Sequence, residues 1–233
     1  MHDERWAVVP MSLSQLRSMA GLCLWKVVKL ARIRQTVGTK EQNQELQANN
    51  TTGTDMLTAP LVTSTLQYLA IGKGIITYTC ANRTDTEAPL YVQEETYLYD
   101  VAPLIPKFSS EAQFHSYIPR FLEYDYTSID NSSLNCIGTV QTISGISILD
   151  LYNVDAFLVE LLEVVNSPDN SQFDLRWAHS KDSSNEWGIY RVVTAGGGSP
   201  YDCGDQIIND DIPSEYVAEY WFYQNKADNR GGR

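Results

Sequence analysis

The sequence predicts a mainly β domain, an antiparallel sandwich or barrel with at most one or two short helices. Three observations carry this. Short runs rich in β-branched and aromatic residues recur from Leu57 onward. Turn residues punctuate them at irregular spacing, with no repeat period. The strand–helix alternation of a parallel doubly wound sheet is missing.

Taken in order, "TLQYLAIG" (65–72) and "IITYTC" (75–80) read as strands joined at Gly72-Lys73-Gly74, a hairpin connection. Further strands are expected in "YVQEETYLYDV" (91–101), "IGTVQTISGISIL" (137–149), "WGIYRVV" (187–193) and "YVAEYWFY" (216–223). One stretch dissents. "NVDAFLVELLEVV" (153–165) spaces Val154, Phe157, Leu158, Leu161, Leu162 and Val165 as a helix would, with a buried strand as the alternative.

A chain of 233 residues suits one domain with extra ends. Residues 14–40 carry Arg17, Lys26, Lys29, Arg32, Arg34 and Lys40 without an acidic residue. Within them "MAGLCLWKVVKLARIR" (19–34) reads as a short amphipathic helix or tail, too brief in its apolar run to span a bilayer. As a secretory signal it is poor, because basic residues follow the apolar run and no small-residue cleavage site is evident. Residues 35–56 are polar and read as a linker. The expected division is therefore a flexible basic segment and linker over 1–56, a single β domain over 57–226, and a flexible tail over 227–233.

At a net charge of −12, no basic stripe with which to displace counterions from phosphates appears in the main body of the chain. Nucleic acid and anionic membrane surfaces are thereby disfavoured as partners, and an apolar small molecule is the expected one. Cysteines 23, 80, 136 and 203 lie far apart, with no C-x-x-C, so no metal site is expected. Sequons at Asn49, Asn50, Asn82 and Asn131 lean weakly toward a glycosylating compartment.

Few residues promise chemistry. Gly196-Gly197-Gly198 matches neither phosphate-binding glycine pattern, and no helix start follows it, so the run reads as a turn. Asp210 and Asp211, ahead of Pro213, read as a solvated turn rather than a cation site. Of three histidines, only His115 in "FHSYIPRF" offers a general base, with Tyr117 nearby. Alternation places Arg191 on one face with Trp187, Ile189 and Val193, and Glu219 on one face with Val217, Trp221 and Tyr223. Charges among large apolar neighbours need partners, so Arg191 and Glu219 are expected to pair across neighbouring strands, either as a structural ion pair or as the floor of a pocket. The candidate site is thus Arg191, Glu219 and His115 as catalytic groups, with Tyr78, Trp187 and Trp221 as ligand contacts.

"LQYLAIGKGIITYTC", "YLYDV", "YRVVTAGGGSPYDC" and "YVAEYWFY" together resemble domain-of-unknown-function family 3455, common in filamentous fungi and often labelled malate dehydrogenase. The resemblance runs over about residues 66–223 and is most specific in its last two blocks. It implies a secreted type of β protein and a disulfide between Cys80 and Cys203, which end strands that the family also terminates with cysteine; Cys136 is a competing partner or a free thiol. The chain departs from the family pattern at Ile75-Ile76-Thr77, at Val193 and at Ala102-Pro103, which leaves any polar site using those positions in question. The dehydrogenase label lacks physical support, since no βαβ glycine fingerprint with its acidic partner is present. No cofactor is expected. The functional expectation is a cofactor-independent accessory enzyme of fungal secondary metabolism, a cyclase, isomerase or pericyclase working by orientation on an apolar substrate. Its rival is a secreted, non-catalytic binding or cell-surface module. Calorimetry with NAD and with NADP should show no binding; micromolar affinity for either would restore the dehydrogenase label.

Overall fold

The computed structural model describes residues 57–81, 88–130, 132–143, 145–168, 173–199, 203 and 210–225. The expected N-terminal segment, the linker and the C-terminal tail lie outside them. Eight strands form the domain: β1 (Thr65–Thr79), β2 (Leu90–Asp100), β3 (Asn135–Ile143), β4 (Ile146–Leu151), β5 (Asp155–Val165), β6 (Trp177–Asp182), β7 (Trp187–Gly196) and β8 (Ile212–Gln224). Each pairs antiparallel with the next, and β8 returns to β1 to close a barrel. Closure leaves no strand with an unpaired edge. Two single-turn helices, α1 (Glu111–His115) and α2 (Tyr126–Asp130), lie in the long β2–β3 connection, with 3-10 turns at Ile105–Lys107 and Ile118–Glu123. The domain is mainly β, as the sequence predicts.

Four elements depart from expectation. The 137–149 run is two paired strands, β3 and β4, rather than one. Gly72-Lys73-Gly74 is not a hairpin but the middle of one continuous strand, β1, paired on both sides. Its glycines face inward, where neighbouring side chains leave no room for a Cβ. A Cβ on Gly72 would lie 2.4 Å from a ring carbon of Tyr220, and one on Gly74 would lie 2.2 Å from the Thr96 hydroxyl. The 153–165 stretch is strand β5, not a helix. Its ladder with β6 slips between Leu161 and Glu163, so Leu161 and Val164 both line the interior. A strand that slips by one residue places inward groups at i, i+4 and i+7 (Phe157, Leu161 and Val164), which imitates helical spacing. Strand β6 escapes sequence reading because its inward side chains beyond Ala178 are Ser180 and Asp182, which give no apolar alternation.

Apolar side chains fill both faces of the wall. Inside are Ala70, Ile76, Leu98, Leu149, Ile189, Ala218 and Phe222. Outside, Leu69, Ile71, Tyr97, Tyr99, Val217, Trp221 and Tyr223 are covered by Phe114, Ile118 and Phe121 of the β2–β3 connection. Burial on both sides explains why β8 reads as an unbroken aromatic run. Lys73, on the outer face, anchors this cover by donating from Nζ to the carbonyls of Phe121 and Leu122, both at 3.2 Å. Ahead of β1, the Ser64 hydroxyl donates to Asn225 Oδ1 beyond β8 at 2.6 Å, tying the barrel's two chain ends together.

A second polar cluster holds the entering chain. The Thr58 N–H and hydroxyl donate to the Glu163 carboxylate, and the Tyr190 hydroxyl donates to the Thr58 carbonyl. His179 stacks on Tyr190 with centroids 4.2 Å apart, and its Nδ1 is 3.4 Å from Glu163 Oε2. Burial lowers the His179 pKa, opposed in part by Glu163. An imidazole with a depressed folded pKa is held neutral, so no penalty exists above its unfolded value; stability is lost as pH falls below about 6.5, where only the unfolded chain takes up the proton. His179→Phe keeps the ring and removes the titration. Denaturant unfolding between pH 7.5 and 5 should therefore show a shallower loss of stability for that variant, and an unchanged slope would dismiss His179 as its source.

Candidate functional site

The four connections β1–β2, β3–β4, β5–β6 and β7–β8 share one end of the barrel, as up-and-down connectivity requires. The opposite end is plugged by aromatic rings. Trp187 stacks on Phe157 at 6.3 Å and contacts Tyr68 at 6.2 Å, and Tyr68 meets Phe222 edge-on. Between the plug and the first end lies a cavity of about 940 Å³. Its walls carry Val140, Leu149, Val159, Leu161 and Ile189 together with the polar Thr142, Ser147, Asn166 and Ser180, and its rim includes Pro89, Gly145, Gly197 and Ser199.

The cavity also carries a charged network. Glu94, 6% exposed, points inward from β2. Its Oε1 accepts hydrogen bonds from Tyr216 (2.5 Å), Thr96 (3.2 Å) and Tyr220 (3.3 Å), and its Oε2 from Tyr91 (3.3 Å). The Tyr216 and Tyr220 hydroxyls are 2.7 Å apart. Arg191 Nη1 lies 3.6 Å from Glu94 Oε2, and Arg191 Nη2 donates to the Arg176 carbonyl at 3.3 Å. Burial first, and Glu94 second, raise the pKa of both Tyr216 and Tyr220, which keeps both hydroxyls protonated. Burial acts to lower the Arg191 pKa, but Tyr220, Glu94 and Tyr216 more than offset it, so the guanidinium remains charged. The arrangement offers a buried carboxylate, two neutral phenols in a chain leading to it, and a fixed cation beside the cavity.

Of the residues singled out from sequence, Arg191 and Tyr78 line this cavity. The Tyr78 hydroxyl donates to the Gly197 carbonyl at 2.7 Å. Arg191 does not pair with Glu219. In the ladder Arg191 stands opposite Tyr220 and Val192 opposite Glu219, so the two charges point to opposite sides of the wall. Alternation sorts residues within each strand, but only cross-strand register decides which faces coincide. On β7 the alternation also breaks after Arg191: Val193 adopts φ of 47° and packs on the outer layer. Trp187 belongs to the plug. Glu219, His115 and Trp221 meet on the outer face instead. Glu219 Oε2 accepts from Trp221 Nε1 at 2.9 Å and lies 3.4 Å from His115 Nε2, beside a hollow of about 170 Å³. The expected site is thus two clusters on opposite sides of one wall.

The glycine run is structural. Gly196 and Gly197 have φ of 73° and 79°, a left-handed conformation that glycine adopts without strain. Their close packing on Glu215 and Tyr216 leaves no space for a Cβ. The N–H groups of Gly196 and Gly198 donate to Asp174 Oδ1 and the Phe173 carbonyl, so neither is directed at a phosphate. Cys80 and Cys203 form a disulfide with Cα atoms 5.7 Å apart, joining the β1–β2 and β7–β8 connections at the cavity end. Cys136 is also disulfide-bonded, so it is not a free thiol. No cluster of three metal-ligating side chains occurs among the described residues. No helix among them is long and apolar enough to cross a membrane.

A family model described as protein of unknown function (DUF3455) matches residues 61–224, from the turn before β1 to the end of β8. The chain belongs to this family. No curated protein and no solved structure matches it.

Sequence reading missed Glu94, Thr96, Tyr216 and Tyr220. A signal existed in "EET" at 94–96: adjacent glutamates in one strand must face opposite sides. With Tyr97, Leu98 and Tyr99 buried next to them, one glutamate had to turn inward. Glu94→Ala removes the acceptor shared by three hydroxyls and leaves Arg191 without its counter-charge. It should cost about 3–5 kcal/mol, measured by denaturant unfolding, and a loss within ~0.5 kcal/mol would show that the network does not hold the barrel together.

Proposed function

We propose that this protein is a cofactor-independent enzyme of cyclase or isomerase type, an accessory to secondary metabolism, that takes an apolar small molecule into the barrel. The observation that carries this reading is the roughly 940 Å³ cavity with apolar groups in its walls and the Glu94–Tyr216–Tyr220 chain exposed at one place on its surface. Pockets of this size and lining suit small organic ligands. Apolar wall groups orient a substrate by shape, which by itself lowers the barrier of a ring closure. The hydroxyl chain adds proton movement. Tyr220, facing the cavity, takes a proton from the substrate as its own passes to Tyr216, whose proton passes to Glu94 Oε1; reversal returns a proton to another position of the substrate. Both phenols start protonated, as such a relay requires.

A non-catalytic binding module is the second reading. The Cys80–Cys203 disulfide favours it, because such bonds persist in oxidising compartments where exported binding proteins work. Deleting the gene in the source organism and comparing metabolites by mass spectrometry separates the two. The enzyme reading expects loss of one product and accumulation of its isomer. Re-introducing the unaltered chain should restore the product, and Glu94→Gln, which keeps size but not charge, should not. An unchanged metabolite profile would overturn the enzyme reading.

A further inference from the structure

The charged groups Glu94 and Arg191 of the cavity wall differ in how far their hydrogen-bonding capacity is used. Glu94 is satisfied, with Oε1 accepting from three hydroxyls and Oε2 from a fourth. Tyr78 has spent its proton on the Gly197 carbonyl, and Asp174 accepts from the Gly196 N–H. Arg191 is different. Its guanidinium has five N–H donors; Nη2 donates to the Arg176 carbonyl and the group also bonds the Tyr220 hydroxyl, but Nε has no partner and the Glu94 contact, at 3.6 Å, is loose. Its side chain is 18% exposed against 6% for Glu94, so of these two lining charges the cation offers a ligand the larger surface. The Arg176 residue lines the same cavity and adds a second positive charge. A buried guanidinium with unused donors is matched by a planar, negatively charged acceptor pair.

We infer that the cavity's ligand is an amphipathic carboxylic acid, its carboxylate on Arg191 and its apolar body along Val140, Leu149, Val159 and Leu161. This rests on the reading of the barrel as a ligand site and specifies the substrate class. The same placement explains why a protein of charge −12 can receive an acid: the attraction is local and shielded within the barrel from the acidic surface.

The test is competition in the full chain at pH 7.5. N-phenyl-1-naphthylamine, neutral and apolar, is loaded into the cavity and displaced with dodecanoate or with dodecan-1-ol, which has the same chain and no charge. Dodecanoate should displace the fluorophore at a concentration at least about tenfold lower than the alcohol, as a charge-assisted contact implies. Arg191→Gln should erase that preference while still binding the fluorophore, and Arg191→Lys should keep part of it. Equal displacement by acid and alcohol in the unaltered chain would overturn the inference and leave the cavity reading standing. So would a preference that persists in Arg191→Gln. Failure of the fluorophore and both competitors to bind, checked by calorimetry, would overturn the cavity reading as well. The acid–alcohol comparison needs no variant, so a variant that fails to fold leaves it decisive.

Discussion

A carboxylate facing the inside of a closed barrel must be met by donors on every side, because a buried charge left unpaired costs several kcal/mol. Glu94 sets that requirement here, and much of the inner wall answers it. Thr96 and Tyr91 come from β2 itself, Tyr216 and Tyr220 from β8, and Arg191 from β7. Two strands are shaped by the groups around it. β1 carries glycine at positions 72 and 74 where Tyr220 and Thr96 cross the interior, and β7 ends in left-handed glycines that close over Tyr216. This chain's glycine-rich run and its aromatic terminal strand are therefore two sides of one packing arrangement.

The wall separates two environments. Inside, polar groups gather toward the open half and aromatic rings toward the plug. Outside, the β2–β3 connection provides a second hydrophobic layer over β1, β7 and β8, held by Lys73. Among the described residues no such cover lies over the β4–β5 side, where Ile146, Ile148, Leu158 and Leu162 are exposed. The second layer thus backs the strands that carry Arg191, Tyr216 and Tyr220.

Much of the fold was legible because strand residues announce themselves when one face is buried. Strands β2, β7 and β8 fall within a few residues of their expected bounds. The errors arose where a local rule met a non-local cause. Gly72 and Gly74 looked like a turn because nothing near them in sequence reveals that Tyr220 needs their space. β5 looked helical because a register slip rearranged its alternation. The site was half legible for the same reason. Arg191 stood out as a charge among apolar neighbours, but its counter-ion lies 97 positions away on a strand whose register no local pattern specifies. Glu94 itself was readable from its adjacent Glu95.

The hydrogen bond between Ser64 and Asn225 fixes both ends of the barrel at the plugged face, away from the cavity's entrance. Circular permutation follows naturally from this geometry, since a short bridge can join the ends while a new terminus is cut into any exposed connection. A reporter joined directly after Asn225 would start from the floor of the vessel, on the side opposite its opening.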